Sequence, residues 1–289
     1  MKKLPICNFE HLQDHLINIE TIPKVVEIDL SNYESFIRPI FIVTIAQFIR
    51  FLRFRGHIVE NLILPQKTDI NRYLQHNINF LNLFHNNFET LSSRSPSPSS
   101  LGSLPLMCIT KSTIPDKKTI ITQFLKSKGE DRDFTTIEVC LDEILNNCFD
   151  HAGSKTGVIG CGQYIPAKRQ LRLAICDTGI GIPNCVNTYL DKNGQERKSS
   201  QDAISWAFEQ NNTTQSTPSN RGRGLHTLHT AIEACKGNYR VITHDKWLIK
   251  APGVEVFRDT ANFFGTAIEF EMNIDHLPEL EFGDFDYDF

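Results

Sequence analysis

The stretch LDEILNNCFDHAGS, residues 141–154, combines the apolar period of a helix with a row of polar side chains. Glu143, Asn147 and His151 are spaced four residues apart, so on an α-helix they lie along one stripe. The opposite, core-facing side is supplied by apolar residues, namely Ile137, Leu141, Ile144, Leu145 and Phe149. We predict a helix over residues 134–151 whose stripe faces a functional site; a solvated stripe is the alternative.

Composition indicates an ordinary globular chain. The 289 residues suggest roughly two domains, and 40% hydrophobic with 22% charged residues provides a buried core. The formal net charge of −4 argues against a chain built to wrap nucleic acid. A cluster of Arg50, Arg53 and Arg55 is interpreted as a solvated helix face in preference to a phosphate-binding patch.

The eight cysteines form no CxxC pair and no metal-ligand spacing. Four of them fall inside apolar runs and are interpreted as small core residues, namely Cys140, Cys148, Cys161 and Cys176. No apolar run is long enough for a signal peptide or a membrane span, so we expect a cytoplasmic protein without a membrane partner.

A Ser/Pro-rich break, SSRSPSPSSLGS at 92–103, divides the chain. We predict an α/β unit over 1–90, a linker or loop over 91–116, a second domain over 117–275 and a tail over 276–289. In the first unit, strands are predicted at 25–30 and 57–64, and helices at 40–54 and 70–84.

The second domain is predicted to be an α+β two-layer sandwich, a mixed sheet with helices on one face. Its predicted helices cover 117–128, 134–151, 201–210 and 225–234. Its predicted strands cover 157–164 and 170–176, an antiparallel pair, together with 239–243, 247–250 and 266–272.

Two glycine turns add to the polar stripe. In AICDTGIGIP, residues 174–183, Asp177 ends a strand and is followed by Gly179 and Gly181. The carboxylate is then an acceptor at the floor of a pocket, and the glycines leave the backbone free to approach a ligand. In NRGRGLHTLHTAI, residues 220–232, Gly222 and Gly224 open an amphipathic helix whose N-terminus can bind an anion. A plain turn and a glycine hinge are the alternatives.

The order of these motifs, ExxxNxxDH, DxGxG, GRGL and then FFGT at 263–266, resembles the GHKL superfamily of ATP-binding domains over residues 119–274. The resemblance implies the Bergerat fold with ATP and Mg²⁺ as cofactors. It implies that Asn147 is the Mg²⁺ ligand that bridges the phosphates and that Glu143 is the general base.

Further roles are implied by the same resemblance. Asp177 would accept the adenine amino group, with Gly179, Gly181 and Thr266 around the adenine. Asp150 and His151 match positions near the nucleotide. The phosphate-binding end of a lid, which runs from about Asn184 to Asn220, would be formed by Gly222, Arg223, Gly224 and Leu225.

Residues 25–65 resemble, more weakly, the STAS fold of anti-sigma antagonists. That family has an Asp-Ser pair at the start of its helix, and the serine is phosphorylated. This chain has Arg38 and Pro39 there, so the resemblance implies a docking or regulatory module without the phosphoacceptor.

We therefore expect a regulatory protein that binds Mg²⁺–ATP, hydrolyses it and uses lid closure to control a protein partner; a homodimer is left open. The alternatives are an anti-sigma-type serine/threonine kinase acting on a partner, and a non-catalytic nucleotide sensor. The acidic–aromatic tail, PELEFGDFDYDF, is interpreted as solvated, with partner docking as the alternative.

Overall fold

The computed structural model describes residues 2–34, 37–86, 102–151, 153–154, 156–209, 212 and 224–280. These residues form a parallel sheet and a larger antiparallel sheet, both covered by helices. The predicted α+β class is confirmed at that level. The Ser/Pro-rich residues 92–101, Gly222, Arg223 and the tail from 281 onward lie outside the described residues.

The N-terminal sheet contains three parallel strands in the order β1 (Lys2–Pro5), β2 (Val25–Asp29) and β3 (Ile58–Ile63). Helix α1 (Phe9–Ile17) joins the first pair and α2 (Pro39–Phe54) joins the second. Strand–helix–strand crossovers are what parallel pairing requires. The predicted small α/β unit is confirmed, although the sequence patterns did not reveal β1 and α1.

The predicted helix over 70–84 is wrong as a single element. The chain forms α3 (Thr68–Arg72), a π-helical turn (Tyr73–Asn77) and α4 (Phe80–His85). Asn79, between the turn and α4, has φ of 61°. This left-handed conformation ends one helical segment before the next begins, and asparagine tolerates it better than most residues.

The larger sheet has five strands in the order β4-β5-β6-β8-β7, and every neighbouring pair is antiparallel. The predicted β5–β6 hairpin is confirmed, whereas the predicted mixed sheet is wrong. The strands are β4 (Ser103–Ile109), β5 (Val158–Ile165), β6 (Gln170–Cys176), β7 (Asn238–Ala251) and β8 (Val254–Asn273).

Strands β7 and β8 form a longer ribbon than predicted. The two strands predicted at 239–243 and 247–250 are halves of β7, joined through an irregular register at His244, where φ is 51°. A strand pattern interrupted by one irregular residue looks like two strands in sequence.

The front face of this sheet is covered by the helices of its own part of the chain. They are α5 (Ile114–Lys126), α6 (Thr135–Asn146), α8 (Ser200–Phe208) and α9 (Gly224–Ala234), with α7 (Ile182–Lys192) beside α8. A π-helical turn, Asn147–His151, continues α6. Leu173, Ile175 and Phe270 point from the sheet into this core.

The back face is covered by α1 and α2 of the N-terminal unit, so the prediction of helices on one face only is wrong. Eleven of the sixteen residues of α2 are buried, as expected for a helix that has both sheets as neighbours. Ala174, Cys176 and Ala267 of the large sheet share a single core with the N-terminal strands.

A group of buried charges joins the two units on the back face; we call it the back-face network. Arg38, which precedes α2, contacts Glu269 and Glu271 of β8, in each case at 2.6 Å. Arg172 also pairs with Glu271, and Arg240 lies 3.3 Å from Glu269.

Two further contacts fix α2 on the sheet. The Ile40 N–H donates to Glu269 Oε2 at 3.0 Å, so a carboxylate of the sheet caps the helix N-terminus. The buried Gln47 side chain donates to the carbonyls of Gly157 and Cys176 at 2.9 and 2.8 Å. No helix in the described ranges has both the length and the apolar character to cross a membrane.

Candidate functional site

The polar stripe of α6 lies between core and solvent. Ile137, Leu141 and Ile144 are buried as predicted, while Glu143 and Asn147 are half-buried. Burial raises the pKa of Glu143, and the neighbouring charge of Asp142 raises it further. The stripe therefore does not form a plain solvated face.

Asp177 ends β6 on the front face and is almost fully buried, at 2% exposure. The Gly179 N–H donates to its Oδ1 at 2.6 Å. Burial raises the pKa of Asp177 to about 6, although the hydrogen bonds from Gly179 and Cys148 oppose that rise. This carboxylate is thus held in the interior by an amide and a thiol, and no salt bridge to it is found among the described residues.

Thr266 of β8 lies beside Asp177. The Asp177 N–H donates to the Thr266 carbonyl at 2.9 Å. The Thr266 hydroxyl is 3.1 Å from that of Thr243 on β7, which also donates to the Gly265 carbonyl. A side chain at Gly265 would lie 2.8 Å from the Asp177 carbonyl carbon. The strand end is therefore packed backbone against backbone.

Gly181 turns the chain from β6 into α7. Its φ is 78°, in the left-handed region, and an added Cβ would lie 2.9 Å from Thr243 Oγ1. The same hydroxyl accepts from the Ile182 N–H, the first amide of α7, at 3.0 Å. Glycine is required here both by conformation and by space.

Cys148 connects the α6 stripe to the strand end. Its thiol donates to Asp177 Oδ2 at 3.6 Å, and both groups are buried. Asn147 directly precedes Cys148, and Glu143 lies one helical turn earlier. The stripe and the Asp177 turn, 30 residues apart in the sequence, therefore meet at one end of the sheet's front face.

The helix predicted after the second glycine turn is confirmed, since α9 begins at Gly224. Leu225 packs against the front core, and α9 lies next to α6. Gly222, Arg223 and the side chains of Asp150 and His151 lie outside the described part, so their predicted roles stay predictions. Of the predicted lid, residues 184–209 and 212 are described and contain most of α7 and all of α8.

Two residues of this site were missed at the sequence level. Cys148 is buried, as its apolar surroundings predicted, but its contact with Asp177 depends on folding. Thr243 lies on a strand that was found, yet its three hydrogen bonds join β7, β8 and α7. A threonine at a buried position of an apolar strand was the available signal, because a buried hydroxyl needs partners.

The side chains present fit a magnesium ion held mainly by a ligand's phosphates. Mg²⁺ prefers hard oxygen donors and commonly takes only one or two from the protein. Asn147 offers an amide oxygen, with the Glu143 carboxylate one turn away. Groups of three or more His, Cys, Asp or Glu suited to a metal do not occur in the described residues.

No protein-family model matches the sequence, and comparison with the curated proteins finds no match. The resemblance of the four motifs to the GHKL superfamily therefore stays a proposal.

Proposed function

We propose that the chain binds Mg²⁺–ATP at the front-face end of β6 and hydrolyses it, as a regulatory protein of the GHKL type. The observation that carries the proposal is the Asp177 carboxylate, buried beside Gly181 and Gly265, two positions that require glycine, and joined through Cys148 to the α6 stripe. A buried acceptor with a raised pKa in such a setting is characteristic of ligand sites.

Each residue then has a defined task. Asp177 accepts a hydrogen bond from the exocyclic amine of adenine, and Gly181 allows the base to approach. Asn147 holds the magnesium ion, whose charge neutralises the phosphates when it is bound. Glu143 orients or deprotonates the attacking water, a task to which a raised carboxylate pKa is suited.

The segment between Asn184 and Asn220 closes over the nucleotide in this proposal and transmits its state to a protein partner. The N-terminal unit, whose sequence over residues 25–65 resembles the STAS fold, is proposed as the docking module. It lies on the back face of the large sheet, whereas the Asp177 side chain belongs to the front face.

The test is binding and turnover of labelled ATP by the purified chain with and without Mg²⁺. We expect Asp177→Asn to abolish binding and Glu143→Gln to retain binding but lose phosphate release. The matched control for Glu143→Gln is Glu138→Gln, a carboxylate in the first turn of the same helix that pairs with Lys126. Label recovered on a protein partner would support the kinase alternative, and absence of ATP binding by the wild type would overturn the proposal.

A further inference from the structure

A cleft lies where α2, β3 and the loop before β5 meet. It has a volume of about 460 Å³ and is lined by Arg50, Arg53, His57, Ile58, Val59 and Thr156. That volume is within the range typical of small-molecule sites, about 300–1,000 Å³. No acidic side chain is among these lining residues.

The interpretation of the arginine cluster as a solvated helix face holds for Arg55, which is exposed, but not for Arg50 and Arg53, which are half-buried. Arg53 is half-buried, and desolvation lowers its pKa. Its Nη1 and Nη2 donate to the carbonyls of Phe84 and Val59 at 3.1 and 3.3 Å, and its guanidinium lies 4.5 Å from the centre of the Phe84 ring. The guanidinium plane is therefore held in a fixed orientation at the cleft.

Arg50 is the second half-buried guanidinium of the cleft. It lies three residues before Arg53, on the same side of α2, and its Nη1 is 3.4 Å from Gln47 Oε1. Burial and the charge of Asp177 raise the pKa of Cys176, at the end of β6, and the charge of Arg50 opposes that rise. Gln47 in turn fastens α2 to the loop that carries Thr156, through the Gly157 carbonyl. The two arginines thus belong to a wall whose position is fixed by hydrogen bonds.

We propose that this cleft is a second ligand site, which binds a small organic compound with a phosphate or carboxylate head. Guanidinium groups recognise such oxyanions through paired, charge-assisted hydrogen bonds. The Thr156 hydroxyl, which lies 2.6 Å from that of Thr178, can make a further polar contact, and Ile58 and Val59 supply an apolar wall for the carbon part of the ligand. The proposal does not depend on ATP binding.

The probes are phenyl phosphate, benzoate and inorganic phosphate, titrated into the full chain by calorimetry at constant ionic strength. We expect saturable one-site binding of phenyl phosphate or benzoate, stronger than that of inorganic phosphate because of the apolar wall. The ratio of the two aromatic affinities identifies the preferred head group. Saturable binding of none of the three probes overturns the proposal.

Variants locate the binding. Arg50→Gln is expected to weaken it about tenfold, and Thr156→Val by a smaller factor. Arg55→Gln is the matched control, because Arg55 is at the same helix end but pairs with Glu20 at 2.7 Å and does not line the cleft. Equal weakening by Arg50→Gln and Arg55→Gln, or no weakening by Arg50→Gln, overturns the site.

Discussion

The two faces of the five-stranded sheet each hold buried carboxylates, in opposite surroundings. On the back face, burial raises the pKa of Glu271, but the hydrogen bond from Asn238 and the charges of Arg38 and Arg172 outweigh burial and lower it to about 2. On the front face, Asp177 has an amide and a thiol as partners, and burial raises its pKa to about 6.

The difference distinguishes a structural carboxylate from one available to a ligand. Glu271 and its neighbour Glu269 hold the N-terminal unit through Arg38, so their charge is used within the fold. The buried charge of Asp177 lowers the stability of the folded protein. Such a cost is expected at a binding site, where a ligand supplies a further hydrogen-bond donor to the carboxylate. Replacing Glu271 should therefore lower the free energy of unfolding, whereas replacing Asp177 should raise it.

The largest effect is expected at the strand end behind Asp177. Gly265→Ala would place a Cβ against the carbonyl of Asp177. Both contacting segments are backbone there, so neither can move aside without a shift of its strand. We expect a loss of about 3 kcal/mol or more of unfolding free energy, measured by urea denaturation. Gly102→Ala is the control, because the atom nearest to its Cβ is 3.7 Å away; similar losses in both would contradict the packing argument.

The second-largest loss of stability is expected on the back face. Glu271→Gln removes one of the two buried carboxylates of the back-face network, so that Arg38 keeps only Glu269 as a counter-charge, and we expect a loss of about 2–3 kcal/mol at pH 7. The folded-state pKa of Glu271 is lowered, so its contribution is complete above about pH 4.5 and is lost as pH falls through about 2. The wild type and the variant should thus converge in stability in acid.

The control for Glu271→Gln is Glu255→Gln, which removes a more exposed partner of Lys250 near the tip of the β7–β8 ribbon. Exposed ion pairs contribute little, so its urea midpoint should stay close to that of the wild type. A Glu271→Gln protein as stable as the wild type at pH 7 would show that the back-face network does not hold the units together.

The sequence predicted what depends on local periodicity. The α6 stripe, the β5–β6 hairpin and the strand–helix alternation of the N-terminal unit follow from patterns within about twenty residues, and the structure contains them. The unusually apolar composition of α2 also carried information that was not used, because a helix apolar on all sides is buried on all sides.

Long-range pairing could not be read from the sequence. Arg38 meets Glu269 across 231 positions, and Cys148 meets Asp177 across 29. No local pattern identifies such partners, since they depend on how whole elements pack. The same limit applies to the helices that cover the large sheet. The helices close to its strands in the sequence predicted cover on one face only, and no local pattern predicted that α1 and α2 cover the other face.

At Asp177 a gain in stability is expected. The folded-state pKa is raised, so the folded protein keeps a proton that the unfolded chain releases between about pH 4 and 6. The penalty is therefore complete above about pH 6 and disappears in acid. Asp177→Asn should raise the unfolding free energy by about 1–2 kcal/mol at pH 8 and leave it unchanged near pH 4, while nucleotide binding is lost. A less stable variant at pH 8 would contradict the contrast between the two faces.

The smallest effect is expected at Cys148, where the hydrogen bond of the thiol can be distinguished from the volume that the side chain fills. Cys148→Ala removes one of the donors to Asp177, so the pKa of that carboxyl should rise further. Stability should then begin to fall at the same pH, about 4, but should go on falling to a higher pH than in the wild type. The accompanying loss of buried volume should cost about 1 kcal/mol at all pH values. Cys140→Ala, at a buried position of the same helix, should show the volume cost without the pH shift. Identical pH profiles for the two variants would mean that the thiol fills space and does not tune the front-face carboxylate.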